Sequence, residues 1–231
     1  MNKKAIISIA TVLILLGLDQ YTKIWVKTNM LLGDEIPIFG NSILLHFTEN
    51  AGMAFGLEWG GPIGKYFLST FRIVFSGVII YYIIQLVKKN AHTGFIVASS
   101  MILAGAVGNL IDCMFYGLIF TESGDFIHQH IATFVPFGTG YAAFLQGRVV
   151  DMIWCPIIRT TYPDWFPVYG GQPFVFFTFI FNIADSAISV GVAIVFLFQK
   201  TFFEGLDTFK EPELIAAEEG ISTAEETAPQ A

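Results

Sequence analysis

Charge is scarce in this chain. Of its 231 residues 13% are charged and 54% hydrophobic, and the mean hydropathy is +0.63. A soluble domain carries about 25% charge, so an ordinary soluble enzyme is excluded and lipid is the expected solvent. Cysteine is scarce too, with only Cys113 and Cys155. No spacing fixes a disulfide between them, and two unpaired thiols are the simpler expectation. The Gly-x-Ser-x-Gly nucleophile elbow, the phosphate-binding loop and the dinucleotide fingerprint are all missing. His128 and His130 read as solvated loop histidines rather than metal ligands. Lysine and arginine are too few to imply nucleic acid, and internal repeats are absent. No metal and no cofactor are expected.

What the chain does have is long apolar runs. Four stretches, about 5–26, 66–87, 94–111 and 174–198, approach or exceed the ~20 residues that cross a bilayer. The first begins like a secretory signal, because the uncharged Ala5–Leu18 follows Lys3 and Lys4. No small-residue cleavage site follows it, so an uncleaved span is expected. Lys3, Lys4, Lys88, Lys89 and Lys200 flank the spans on one side, which puts both termini and the 88–93 link in the cytoplasm. The expected fold is an all-α membrane protein of four transmembrane helices, with residues 1–200 forming one domain. On its outer face lie a small β-structure within 27–65 and a long interfacial loop, 114–173, carrying Tyr141, Trp154, Tyr162, Trp165 and Tyr169. The tail 201–231 sets eight acids against Lys210 alone, and is expected to be disordered and cytoplasmic.

Polar residues occur where lipid should be. In Phe174–Val190, FVFFTFIFNIADSAISV, Asp185 has no cation within its segment, the next being Lys200, fifteen positions on. As one helix from Phe174, the segment would bury Asp185 roughly 15–17 Å deep at ~1.5 Å per residue. Asn182, Ser186 and Ser189 share its face. Gly105, Gly108, Asn109 and Asp112 share another at i, i+3, i+4 and i+7, where the glycines admit a second backbone. Asp19 and Lys23 stand four apart, in the order that favours an ion pair. Asp151 lies among apolar residues in Val-Val-Asp-Met-Ile, as though its loop dips toward the bilayer. Two neighbouring acids cannot both ionise cheaply, so one holds a proton while the other acts as a base toward water. That chemistry suits an aspartic peptidase. A small proton- or cation-coupled transporter subunit using Asp185, or a scaffold whose polar faces only bind helices together, stays open on the residues alone.

Five blocks in order resemble the lipoprotein signal peptidase (signal peptidase II) family. They are Asp19-Gln-Tyr-Thr-Lys23, Asn50-Ala-Gly52-Met-Ala-Phe-Gly, Gly105-Ala-Val-Gly108-Asn109-Leu-Ile-Asp112, Val149-Val-Asp151 and Phe181-Asn182-Ile-Ala-Asp185. The resemblance covers about residues 10–195. It implies a membrane aspartic endopeptidase that cuts the signal peptide from prolipoproteins before a diacylglyceryl-modified cysteine. The implied catalytic pair is Asp151 and Asp185. Asn109, Asp112 and Asn182 would support it, and Asp19, Lys23, Asn50, Gly52 and Gly108 would lie around the substrate. The implied setting is the bacterial inner membrane, with the site toward the outer leaflet, membrane lipid around it, globomycin-type antibiotics as occupants of the groove, and a monomer. The family usually carries arginine after Asn-Leu-x-Asp, where this chain has Cys113. Arg148 is the expected substitute.

Overall fold

The computed structural model describes residues 2–50 and 61–207. Gly52 and the tail beyond Asp207 lie outside the described residues. Helix α1 runs Lys3–Asn29, with Asn2 as N-cap: its side chain accepts the Lys4 N–H at 3.0 Å. At ~1.5 Å per residue the helix is about 40 Å long, more than the ~30 Å hydrocarbon core of a bilayer. Its buried residues are Ser8, Asp19, Lys23, Val26 and Lys27, whereas Leu13, Ile14 and Leu18 are exposed. That is the reverse of a soluble amphipathic helix, and it suits a helix with lipid outside and a polar bundle inside.

Strands β1 (Glu35–Phe39) and β2 (Ile43–Asn50) follow, then α2 (Gly61–Lys88) and α3 (Thr93–Ile111). A π-helical turn, Asp112–Tyr116, leads into the single turn α4 (Gly117–Ile119). After a long irregular segment come β3 (Val149–Trp154), β4 (Ile158–Thr161), β5 (Pro173–Phe176), β6 (Ile180–Phe181), α5 (Ile183–Leu197) and α6 (Gln199–Asp207). Helix α3 is central and packs against α1, α2 and α5. The first turns of the expected tail are thus helical, with Phe202 stacked on Phe95.

Among the described residues, three apolar helices are long enough to cross a membrane: Lys3–Asn29, Ile63–Lys88 and Thr93–Ile119. The expected fourth, 174–198, is corrected in part. Its N-terminal portion forms β5, a link and β6, and the helix proper is the 15-residue α5. The physical reason is local. The run Phe174–Phe181 is aromatic and β-branched, which favours extended backbone, and Asn182 then caps a helix. Asp185 consequently sits in the first turn of α5 rather than deep within a span.

The expected small β-structure is present, and it extends beyond residues 27–65 to take in β3 and β6. Strands β1-β2-β3-β6 form one antiparallel sheet in that order, and β4–β5 form a separate pair. The segment expected to be a dipping loop is therefore an inner strand of the sheet. Its register with β2 pairs Thr48 with Asp151, Glu49 with Val150 and Asn50 with Val149. Val26, Met30, Phe47, Tyr116, Phe120, Val150 and Met152 form a buried cluster that fastens the sheet to α1 and the end of α3.

Candidate active site

Asp185 is held by the way α5 begins. Asn182 has extended backbone and its Oδ1 accepts the Asp185 N–H at 2.9 Å, while Asp185 Oδ2 accepts the Asn182 N–H at 3.3 Å. This reciprocal box satisfies two orphan donors of the helix start. It also sets a carboxylate at the positive end of the helix dipole. The question of why an acid lies here without a cation in its own segment has this local answer.

Asp151 comes from β3 and is 4% exposed. Asn182 Nδ2 donates to Asp151 Oδ1 at 2.7 Å, and Asn109 Nδ2 donates to Asp185 Oδ1 at 2.8 Å. The two asparagines are themselves joined, Asn182 Nδ2 to Asn109 Oδ1 at 3.1 Å. One amide side chain thus bridges α5 to both α3 and β3, and Asn182 hydrogen-bonds both acids, through its side chain to Asp151 and its backbone N–H to Asp185. Burial pushes the Asp151 carboxyl up to about 7, with the Asp185 charge adding to the rise. Lys23 and hydrogen bonds from Asn182 and Asn50 oppose it. The charge of Asp185 thus favours the protonated form of Asp151.

A charged network lies behind the pair. Lys23 is fully buried and its Nζ reaches Asp19 at 2.9 Å, Asp112 at 2.8 Å and Asn109 Oδ1 at 2.8 Å. Asp112 accepts the Val150 N–H at 3.3 Å, one residue before Asp151. Gly108 lies against Asp19: a Cβ there would stand 2.7 Å from Asp19 Oδ2. Among the sequence-expected residues, the structure therefore gathers Asp19, Lys23, Asn50, Gly108, Asn109, Asp112, Asp151, Asn182 and Asp185.

Arg148 goes elsewhere. Its guanidinium reaches Glu49 at 3.2 Å and Glu122 at 3.0 Å, over the Tyr141 ring. The guanidinium beside Cys113 belongs instead to Arg72 of α2, whose Nη1 is 3.1 Å from the sulfur. Nothing in the local sequence linked Arg72 to Cys113, which lies 41 positions later. Sequence reasoning also passed over Gln20, which donates to Asp112 at 2.9 Å and accepts from Tyr116 at 3.1 Å. Its position between Asp19 and Lys23 was the available signal.

Cys113 and Cys155 are both free. His128 pairs with Asp125 on the surface at 3.0 Å. Among the described residues, no three His, Cys, Asp or Glu side chains converge as a metal-ligand set.

The family model of signal peptidase (SPase) II matches residues 11–201. The lipoprotein signal peptidase of Porphyromonas gingivalis is 47% identical over 187 residues, covering 80% of this chain and 79% of that protein. That of Amoebophilus asiaticus is 36% identical over 200 residues, covering 85% and 79%. A solved bacterial membrane enzyme, determined in meso at 1.9 Å, aligns over 82% of this chain and 90% of its own, with a TM-score of 0.51 at 24% identity. That last likeness concerns the fold. With the family match spanning nearly the whole described chain, this protein belongs to the signal peptidase II family.

Proposed function

We propose that this protein is an aspartic endopeptidase of the bacterial inner membrane. It removes signal peptides from prolipoproteins by cutting before the diacylglyceryl-modified cysteine, with Asp151 and Asp185 as the catalytic pair. Family membership supports signal-peptide processing of prolipoproteins. The observation that carries the catalytic assignment is the hydrogen bonding of Asn182 to both acids: its amide at 2.7 Å from Asp151 and its backbone N–H at 3.3 Å from Asp185.

In this reading the working pair holds one proton. Asp151, the more deeply buried acid, carries it, and Asp185, stabilised as an anion by Asn109 and the helix start, is the base. A water between them gives its proton to Asp185 and attacks the scissile carbonyl, whose oxygen takes the proton of Asp151. The tetrahedral intermediate then collapses. Asp185 returns its proton to the leaving nitrogen, and Asp151 recovers one from the collapsing hydroxyl. Atoms and protons balance without a covalent enzyme intermediate.

The substrate is a membrane helix with two acyl chains, so the groove should open sideways to lipid. Apolar walls then supply affinity, and Asn50, Asn109 and Asn182 pair the backbone groups freed where the substrate unwinds. The positive-inside distribution supports cytoplasmic termini and a site toward the outer leaflet. Globomycin-type inhibitors would compete for the same groove, and the enzyme acts as a monomer.

The test is a gel-shift assay of purified protein with a diacylglyceryl-modified prolipoprotein. Wild type should cleave it, Asp151→Asn and Asp185→Asn should not, and globomycin should block cleavage. Full activity in either variant rules out the pair, and Asp112 becomes the next acid to examine.

A further inference from the structure

Beside the carboxylate pair lies a second buried ionic cluster, centred on Glu49 of β2. Its side chain is 3% exposed. Oε1 accepts from Lys27 Nζ and from Ser123 Oγ, the latter at 2.8 Å, and Oε2 accepts from Arg148 Nη1 at 3.2 Å. Lys27 is itself fully buried and also donates to Ser123 Oγ at 2.8 Å. Four separate parts of the chain therefore meet on one carboxylate: α1, β2, the segment after α4, and the residue immediately before β3.

The position of Glu49 gives this cluster a consequence for the site. Glu49 pairs with Val150 across the β2–β3 ladder, between the Thr48–Asp151 and Asn50–Val149 pairs. Asn50, the next residue, hydrogen-bonds Asp151. Glu49 is thus a buried anchor one residue from a side chain that touches the catalytic acid. Arg148, immediately before the partner strand β3, lies three residues before that acid. Both strand ends are drawn to the same carboxylate.

We infer that Glu49 is a positioning residue of the peptidase: clamped by Lys27, Ser123 and Arg148, it fixes the end of β2 so that Asn50 meets Asp151. The inference rests on the reading of Asp151 and Asp185 as the catalytic pair. A purely structural ion pair would support the fold and leave the protonation of Asp151 alone. A positioning role does not, because the Asn50 hydrogen bond favours ionised Asp151. The other groups acting on Asp151 are Asp185 from α5, Lys23 from α1 and Asn182 at the start of α5. None of these three is among the groups that hold the Glu49 carboxylate, which are Lys27, Ser123 and Arg148. Loss of the Asn50 contact therefore raises the pH at which the pair surrenders its last proton, and the alkaline limb of the kcat profile moves up.

The experiment follows prolipoprotein cleavage by the full-length protein across pH, for wild type, Glu49→Gln, Asn50→Ala and the double variant. Glu49→Gln should lower kcat about tenfold with KM little changed, a loss in the range of coupled contacts. Its alkaline limb should move upward as in Asn50→Ala, and the double variant should be no worse than Asn50→Ala alone. An unmoved limb in Glu49→Gln, or effects that add in full, overturns the inference. Should Glu49→Gln fail to fold, Lys27→Met with Glu49→Gln removes both buried partners together, and Arg148 keeps Glu122. The same limb shift is expected there, and a wild-type profile overturns the inference equally. Asp151→Asn separates the two readings: cleavage surviving in that variant sinks the catalytic pair itself, whatever Glu49 does.

Discussion

Asp19 Oδ1 accepts the backbone N–H of Ala184 at 2.9 Å, so a carboxylate from α1 caps α5 one residue before Asp185. Lys23 binds that same Asp19 and also Asp112 Oδ2, the oxygen that accepts the Val150 N–H next to Asp151. A single ammonium thereby joins the two backbone anchors that set the two acids. Arranging this needs α1, α3, β3 and α5 to converge, and the convergence is tight enough to be tested by single atoms.

Gly105 is the first such test. A Cβ at that position would lie 2.2 Å from the Ala184 carbonyl oxygen and 2.6 Å from Ile188. Gly105→Ala should therefore push α5 away from α3, carrying Asp185 with it. Overpacking of this kind costs about 1–3 kcal/mol or more, and cleavage should fall further than stability because geometry at the pair is lost. Gly17→Ala, with nothing within 4 Å of its Cβ, is the control and should be neutral. Melting temperature in detergent, measured beside prolipoprotein cleavage, checks both.

Much of this convergence was legible in the chain. The spacing of Gly105, Gly108, Asn109 and Asp112 placed them on one face, and the structure has that face against Ala184 and Asp19. Spacing of four placed Asp19 and Lys23 together. The β-structure was harder to read, because Phe174–Phe181 is as hydrophobic as a span and periodicity cannot separate a buried strand from a short apolar helix. Pairing of Asp151 with β2 depends on a partner about 100 residues earlier, which no local pattern records. Arg72 escaped for the same reason: its interest lies in Cys113, across α2 and α3.

Removing Lys23 should be far costlier than its single charge suggests. Its ammonium is buried between two carboxylates that are also buried. Lys23→Met would leave Asp19 and Asp112 facing each other without a cation, and breaking a buried pair this way costs about 3–5 kcal/mol. Lys23→Met combined with Asp19→Asn should regain part of that loss, since one uncompensated charge is gone. Unfolding of the purified variants in detergent gives both values. Equal stability of Lys23→Met and wild type would contradict the bracing role.

Asp151 itself should be a stability liability. Its folded carboxyl stands at about 7, above the ordinary value near 3.8. A raised acid pKa means that the native state binds more protons than the unfolded chain between those two values. Stability from this group is therefore full below about pH 4 and is lost as pH rises through about 7. Asp151→Asn removes the charge that burial penalises and should raise the melting temperature at pH 8, while abolishing cleavage. The gain should shrink as pH falls toward 4. A melting temperature that drops equally at every pH would mean that Asp151 is held by contacts stronger than its burial cost.

The β4–β5 pair and its connecting turn carry the interfacial expectation made from the aromatic residues. Trp165 is 79% exposed, Val168 is 86% exposed, and Tyr162 stacks on Phe166 and packs against Tyr169 and Phe174. An apolar tip of this size, left open to water, would be an association hazard. At a headgroup boundary, aromatic rings and their polar atoms are both accommodated. A variant keeping Trp165 as its sole tryptophan, reconstituted into vesicles, should therefore be quenched by lipids brominated near the headgroup more strongly than by lipids brominated at the chain ends. Trp165→Asp should weaken that seating and raise KM for the lipid-anchored substrate more than it lowers kcat, because the β4–β5 hairpin is separate from the sheet that carries Asp151. Fluorescence quenched by aqueous iodide but by neither lipid would place the hairpin in water and remove this reading.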